Sequence, residues 1–283
     1  MRHPIRPERF RNALTTPTEL RYNFGRPVEG IEGTDGTWAP ALDAAITAPT
    51  VGNDILVVRS LVTTLPPFRT SAAFAGGAGS IPLEKPAGTG IPQGTPLVIS
   101  DCEYANVFTN TSAVPSGGTT ANVARTTAAI SPLPSGAIVV PRNIAVNFPT
   151  YRVGSMVTAV ETIVYYVSPS ASGRGPALWR IVGNGAPQEL VEGVERLEVQ
   201  YGEDTNDDLL VDVYRDADAV VNWPSVIAVS IAVLLRSPEE GLDEAGGQTW
   251  DMLGTVVGPF VDRRPRILFT TTATVRNRAV AGN

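Results

Sequence analysis

The sequence predicts a mainly β protein of the α+β kind, a globular head built from antiparallel sheets with long loops. Its 27 glycines and 24 prolines are spread along the chain. This distribution of glycine and proline is typical of short strands joined by turns, because glycine supplies positive φ angles and proline interrupts helices. Hydrophobic residues make up 43% of the chain, enough for a sizeable core. Several apolar segments also alternate with polar residues at the period of a strand.

Individual elements follow from this patterning. The only helix expected is a short one at Glu8–Leu14, where flanking prolines confine it. Residues 66–96 and 110–134 lack an apolar period and are predicted as long loops. Strands rich in β-branched residues are predicted at Asp54–Arg59, Pro96–Ser100, Ala137–Val140, Glu161–Val167, Ala177–Val182, Val194–Tyr201, Val226–Leu235 and Ile267–Arg276.

The segment Val194–Tyr201 shows the alternation most clearly. Its pattern places Leu197, Val199 and Tyr201 on one face of the strand. The opposite, polar face then carries Arg196, Glu198 and Gln200. A hairpin is expected between Glu161–Val167 and Ala177–Val182, and a β-meander in the second half of the chain.

Composition limits the classes of partner. The net charge is −6 and 18% of residues are charged, so the surface would repel nucleic acid and no such partner is predicted. The longest apolar run, Val226–Leu235, is about half the ~20 residues of a transmembrane helix, and no signal peptide is recognised. We expect one head domain over residues 26–283. The arginine-rich arm at residues 1–25 can include residues introduced by cloning.

Catalytic chemistry has few candidates. His3 is the only histidine and Cys102 the only cysteine, which argues against Ser/His/Asp or Cys/His catalysis and against a zinc site built on those residues. No phosphate-binding glycine motif is present, and no small-molecule substrate is predicted. A hydrolase using two carboxylates stays open as an alternative, because a pairing of acidic residues is invisible in sequence.

The most specific local motif is acidic. Side chains that bear oxygen recur at Asp204, Asn206 and Asp208, followed by the backbone of Leu210 and by Asp212. This is the spacing of a loop that wraps one Ca²⁺ ion. The pattern departs from such loops where the sixth position is Leu209 instead of glycine and the twelfth is Arg215 instead of glutamate. The alternative is a solvated acidic turn between two strands.

Cys102 has two interpretations of its own. It is either a small buried core residue or, in an exported protein, one half of a disulfide whose partner lies outside this sequence.

Six parts of the sequence, which follow one another along the chain, together resemble the PilW family of type IV pilus assembly proteins. The role of this family is similar to that of the J-type minor pseudopilins of type II secretion. The resemblance extends over residues 22–278. The segments are Ser100–Phe108, Glu161–Val167 with Leu178–Arg180, Gln188–Glu195 with Val199–Gly202 and the acidic loop, Trp223, Leu234–Ser237, and Thr274–Arg278.

The resemblance implies a pilin-like head that is structural and not an enzyme. It would take part in priming and assembly of the type IV pilus, at the tip, beside other minor pilins and a tip adhesin. The expected location is the periplasmic face of the inner membrane and the pilus, with roles in adhesion and twitching motility. The inner membrane would be contacted only through an N-terminal helix.

Departures from the family qualify this picture. The prepilin leader and hydrophobic helix are missing, so the sequence is interpreted as the head alone. The resemblance implies a second cysteine near the missing helix as the partner of Cys102. Family members carry glycine in the acidic loop where this chain has Asp207 and Leu209. An adhesin-like β domain that binds a surface or glycan is the other alternative function.

Overall fold

The computed structural model describes residues 9–34, 36–77, 79–101, 103–131, 133, 140–241 and 247–275, and is almost entirely β. The predicted fold class is therefore confirmed. A short 3₁₀ helix lies at Trp223–Ser225. The strands are β1 Phe10–Asn12, β2 Val28–Gly33, β3 Trp38–Ala39, β4 Ile55–Leu61, β5 Phe68–Thr70, β6 Phe74–Gly76, β7 Ser80–Glu84, β8 Pro96–Ser100, β9 Ala105–Thr109, β10 Thr120–Ala124, β11 Phe148–Tyr151, β12 Met156–Pro169, β13 Pro176–Val182, β14 Gln188–Glu192, β15 Val194–Glu203, β16 Val213–Arg215, β17 Val226–Arg236, β18 Trp250–Met252, β19 Thr255–Val257 and β20 Arg266–Thr274.

The chain divides into two compact units. Unit 1 comprises residues 1–27, 59–162 and 183–185, and unit 2 comprises residues 28–58, 163–182 and 186–283. Strands β4 and β12 each contribute residues to both units. The single head domain over residues 26–283 stays a prediction.

Unit 1 is built on strands paired in the order β1-β9-β8-β12, and the antiparallel series β5-β7-β10 joins the same sheet through the pairing of β5 with β12. Alternation decides which side chains are buried: Leu97 and Ile99 of β8, and Ile81 and Leu83 of β7, are fully shielded from water. They pack in one apolar core with Phe68, Phe108 and Tyr151, among others.

Unit 2 contains the meander β12-β13-β14 and the four-stranded antiparallel sheet β16-β15-β17-β20. The second sheet is not a simple meander, since β15 pairs with β16 on one edge and with β17 on the other. The predicted inner face of β15 is confirmed: Leu197, Val199 and Tyr201 are buried in the core of this unit. Strand β17 lies between two neighbours, as its continuous apolar run predicts.

Three local predictions are wrong. Residues 66–96 are not one long loop, because they contain β5, β6 and β7, and residues 110–134 contain β10. These strands have three to five residues, too few for a period-two pattern to emerge from sequence. The helix expected at Glu8–Leu14 is in part strand β1, which gains backbone hydrogen bonds by parallel pairing with β9. Of the predicted strand Ala137–Val140, residues 137–139 lie outside the described residues.

Candidate metal centre

The predicted calcium loop connects β15 to β16 in unit 2. Tyr201–Glu203 of β15 pair in antiparallel fashion with Val213–Arg215 of β16, and the N–H of Asp212 donates to the carbonyl of Glu203 at 2.9 Å. This ladder brings the two ends of the loop together. The predicted ligands therefore lie in one compact turn.

The backbone of the loop adopts the left-handed turns that glycine normally provides. Asp207 has φ of 62° and Leu209 has φ of 69°. A left-handed conformation costs an L-residue roughly 1–2 kcal/mol. The N–H of Leu209 donates to Asp204 Oδ2 at 2.8 Å, and this charge-assisted bond helps to offset the cost. Replacement of the family's glycines has thus not prevented the sharp turn.

Asp204 organises the first half of the loop. Its side chain is buried, and its Oδ1 accepts from the backbone N–H groups of Asn206 at 3.3 Å and Asp208 at 3.2 Å. The next turn is held by Asp208, whose Oδ1 accepts the N–H of Leu210 at 2.8 Å. The side chain of Leu210 is exposed, so only its backbone belongs to the predicted site.

Asp212 closes the second half. Its Oδ2 accepts from the N–H and hydroxyl of Thr205 at 2.7 and 2.8 Å, and the hydroxyl bond lowers the pKa of its carboxyl. The Asn206 side-chain nitrogen lies 3.4 Å from Asp208 Oδ2 and 3.3 Å from Asp212 Oδ1. The amide nitrogen of Asn206 therefore lies between two carboxylates and donates to both. A positive group at this point would balance their negative charges.

Arg215, at the twelfth position, has a different role. Its Nε lies 2.8 Å from Glu203 Oε2, and Glu203 is buried at the end of β15. The other oxygen of Glu203 accepts the N–H of Asn222 at 2.8 Å. This ion pair holds the base of the loop in place of a bidentate glutamate ligand. The calcium ligands Asp204, Asn206, Asp208, Leu210 and Asp212 stay a prediction from the spacing of the sequence.

A second acidic group in unit 2 was not predicted from the sequence. One carboxylate oxygen from each of Glu32, Asp54 and Glu198 lies within 4.8 Å of the others. Burial, reinforced by the neighbouring carboxylates, raises the pKa of Glu32 to about 7 and that of Glu198 to about 8. Burial also raises the pKa of Asp54 to about 6. The alternation of β15 assigned Glu198 to a solvent face, and no sequence signal joins it to residues more than 140 positions away.

Residues 164–277 match the family model described as Type IV Pilus-assembly protein W. The predicted resemblance to the PilW family is thereby confirmed over this region. A search of curated proteins and a search of solved structures each found no match. The match to this family implies a role in type IV pilus assembly.

The PilW match begins in β12 and ends just beyond β20, so it includes the whole acidic loop. Glu198 lies inside the PilW region, while Glu32 and Asp54 lie before it. Among the helices of the described residues, none is long and apolar enough to cross a bilayer. His3 and Cys102 lie outside the described residues, and the two interpretations of Cys102 stay predictions.

A cavity of about 310 Å³ opens in unit 1. Its lining includes Tyr22, Phe24, Gln93 and Asn184, with Tyr22 donating its hydroxyl hydrogen to Asn184 Oδ1 at 2.7 Å. None of the three clustered carboxylates lines it. Asp54 and Glu198 are also buried side chains that a polymeric substrate would not reach. No observation therefore favours the carboxylate hydrolase.

Proposed function

We propose that this chain is the non-catalytic head of a minor pilin, which helps to prime the type IV pilus and remains near its tip. The observation that carries the proposal is the PilW match over residues 164–277, which takes in β13 to β20 and most of unit 2. Such a head acts through surfaces that bind other minor pilins and a tip adhesin.

The edge strand β20 is the surface that best suits such contacts. It pairs with β17 on one side, and no strand in the described part of the chain pairs with its other edge. Ile267 and Phe269, two residues apart on one face, expose 59% and 57% of their surface. Across the ladder they face Leu235 and Val233, which are only partly buried. An apolar strip beside an unpaired edge is typical of a protein-binding site.

Substituting Phe269 with lysine is expected to weaken binding to the other minor pilin heads by about tenfold or more, because a charge enters the centre of an apolar contact. Co-purification of separately tagged heads, followed by a titration of the purified partner, measures the loss. Val221→Lys is the matched control, since Val221 is 81% exposed and lies outside the strands. Equal binding by both variants would rule out the β20 strip.

We also propose that the loop from Asp204 to Asp212 binds one Ca²⁺ ion and so stiffens the β15–β16 connection. Support comes from the left-handed backbone at Asp207 and Leu209 and from the convergence of Asn206, Asp208 and Asp212. Calcium prefers such hard oxygen ligands and tolerates irregular geometry.

Added Ca²⁺ is expected to raise the melting temperature, with a gain of about 2.7 kcal/mol when its concentration is a hundred times Kd. Asp208→Asn should make the rise smaller, because it removes one ligand charge but keeps an oxygen for the N–H of Leu210. Asp207→Asn is the control, since it removes an equal charge outside the ligand positions and asparagine tolerates positive φ. A rise that is as large in Asp208→Asn as in Asp207→Asn, or no rise at millimolar Ca²⁺, contradicts the site.

A further inference from the structure

The buried acidic group in unit 2 draws its three members from separate parts of the chain. Glu32 is near the end of β2, Asp54 immediately precedes β4, and Glu198 is in the middle of β15. Their nearest oxygens all lie within 4.8 Å of one another. Such an approach of three carboxylates is unfavourable unless a positive group or protons balance it.

Two of the three carboxylates have clear structural partners. Asp54 Oδ1 accepts the N–H of Gly33 at 3.0 Å, and its Oδ2 accepts the N–H of Val199 at 2.8 Å. Glu32 Oε2 accepts the N–H of Ala217 at 3.1 Å. These bonds account for the positions of Asp54 and Glu32 without any ligand.

Glu198 is different. Its side chain exposes only 8% of its surface, yet among the described residues it has neither a hydrogen-bond donor nor an ion-pair partner. Arg196, the cation nearby, donates its Nη1 to the carbonyls of Val51 at 3.1 Å and Gly52 at 2.6 Å. A buried carboxylate without a donor, with an oxygen directed at two others, is the arrangement expected of a ligand that lacks its cation.

The surrounding charges favour a cation further. Asp216 and Asp218 are two further acidic residues close to Glu32. Asp216 is engaged by Gln200, whose Nε2 donates to its Oδ1 at 2.9 Å. The acidic side chains at the site therefore outnumber the nearby cation, Arg196.

We propose that Glu32, Asp54 and Glu198 bind one divalent cation of the size of Ca²⁺, at a site separate from the acidic loop. Calcium–oxygen distances of about 2.3–2.6 Å allow ligand oxygens to lie up to about 5 Å apart. The three oxygens lie within 4.8 Å of one another, which is inside that span. A bound ion would tie β2, the start of β4 and β15 together inside unit 2.

The test measures Ca²⁺ stoichiometry by isothermal titration calorimetry on the whole chain in the Asp208→Asn background, which removes the loop site. This protein should bind one Ca²⁺, and adding Glu198→Gln should weaken that binding by about tenfold or more because one of three ligand charges is lost. Asp218→Asn is the control: it removes a nearby exposed charge outside the cluster and should change Kd by less than about threefold.

Melting temperature without metal shows that the variant folds. Glu198→Gln should match or exceed its parent, because glutamine is neutral and carries no cost of ionisation in a buried position, and Ca²⁺ should then raise the melting temperature of the parent only. The proposal is overturned if the Asp208→Asn protein binds no Ca²⁺ at millimolar concentration, as it would if the cluster simply holds protons. It is equally overturned if Glu198→Gln binds Ca²⁺ as tightly as its parent.

Discussion

Replacing Lys85 with methionine is expected to lower the free energy of unfolding of unit 1 by about 3 kcal/mol. Lys85 is the only lysine in the chain and exposes 4% of its surface. Its Nζ donates to the carbonyls of Thr89, Ser116 and Gly118, each at 2.9 Å. The ammonium group therefore joins the turn after β7 to the segment before β10. Methionine retains most of the apolar stem but leaves all three carbonyls without this donor.

Hydrogen exchange measured by mass spectrometry is the most direct readout for Lys85. All four tryptophans lie in unit 2, so tryptophan fluorescence would follow the other unit. Peptides covering residues 86–119 should exchange faster in Lys85→Met. Arg142→Met removes an exposed cation from the same unit and should cost no more than about 0.5 kcal/mol. Equal protection in the two variants would contradict the role assigned to Lys85.

Arg266→Met is expected to cost about 3–5 kcal/mol, because it removes the buried ion-pair partner of Asp262 and leaves Glu195 with Arg236, 3.3 Å away. The Arg266 side chain is 2% exposed, with Nε 2.6 Å from Glu195 Oε2 and Nη1 2.7 Å from Asp262 Oδ1. Its guanidinium carbon lies 3.7 Å from the centre of the Phe260 ring. Hydrogen bonding to Arg266 lowers the pKa of Asp262 to about 2. The stabilisation from Asp262 is therefore present above its ordinary pKa of 3.8 and is lost as the pH falls through about 2.

Urea unfolding followed by tryptophan fluorescence measures this cost, since Trp250 packs in the same apolar cluster as Phe260. Arg263→Met is a matched control: its ion pair with Glu240 is half exposed on both sides and should contribute no more than about 1 kcal/mol. Adding Asp262→Asn to Arg266→Met should recover part of the loss, because it removes the charge left without its partner. A loss for Arg266→Met no larger than that for Arg263→Met would show that the network does not stabilise unit 2.

The longer strands could be predicted because burial imposes a pattern on consecutive residues. In β15, Leu197, Val199 and Tyr201 alternate with polar residues and are buried as expected. Strand β17 has an unbroken apolar run and lies inside its sheet. The acidic loop was equally accessible to prediction, since calcium-binding spacing is a local property. What sequence could not supply there was the backbone, because it gives no reason to expect Leu209 at positive φ.

Features that depend on distant residues escaped prediction. Glu198 occupies a polar position in an alternating strand, yet it is buried beside Glu32 and Asp54. Lys85 follows the five-residue strand β7 in a segment predicted to be a loop, and its partners lie up to 33 residues away. In both cases the environment is created by strand pairing across long sequence separations. The local amino-acid composition does not indicate such pairing.

The central claim, that this chain is a structural component of pilus assembly, is tested most directly by counting surface pili. The comparison needs the natural host, the same strain without the gene, and that strain complemented with the full gene or its Phe269→Lys variant. We expect few or no pili without the gene, recovery with the full gene, and poor recovery with Phe269→Lys. Undiminished piliation in the strain without the gene would contradict the account.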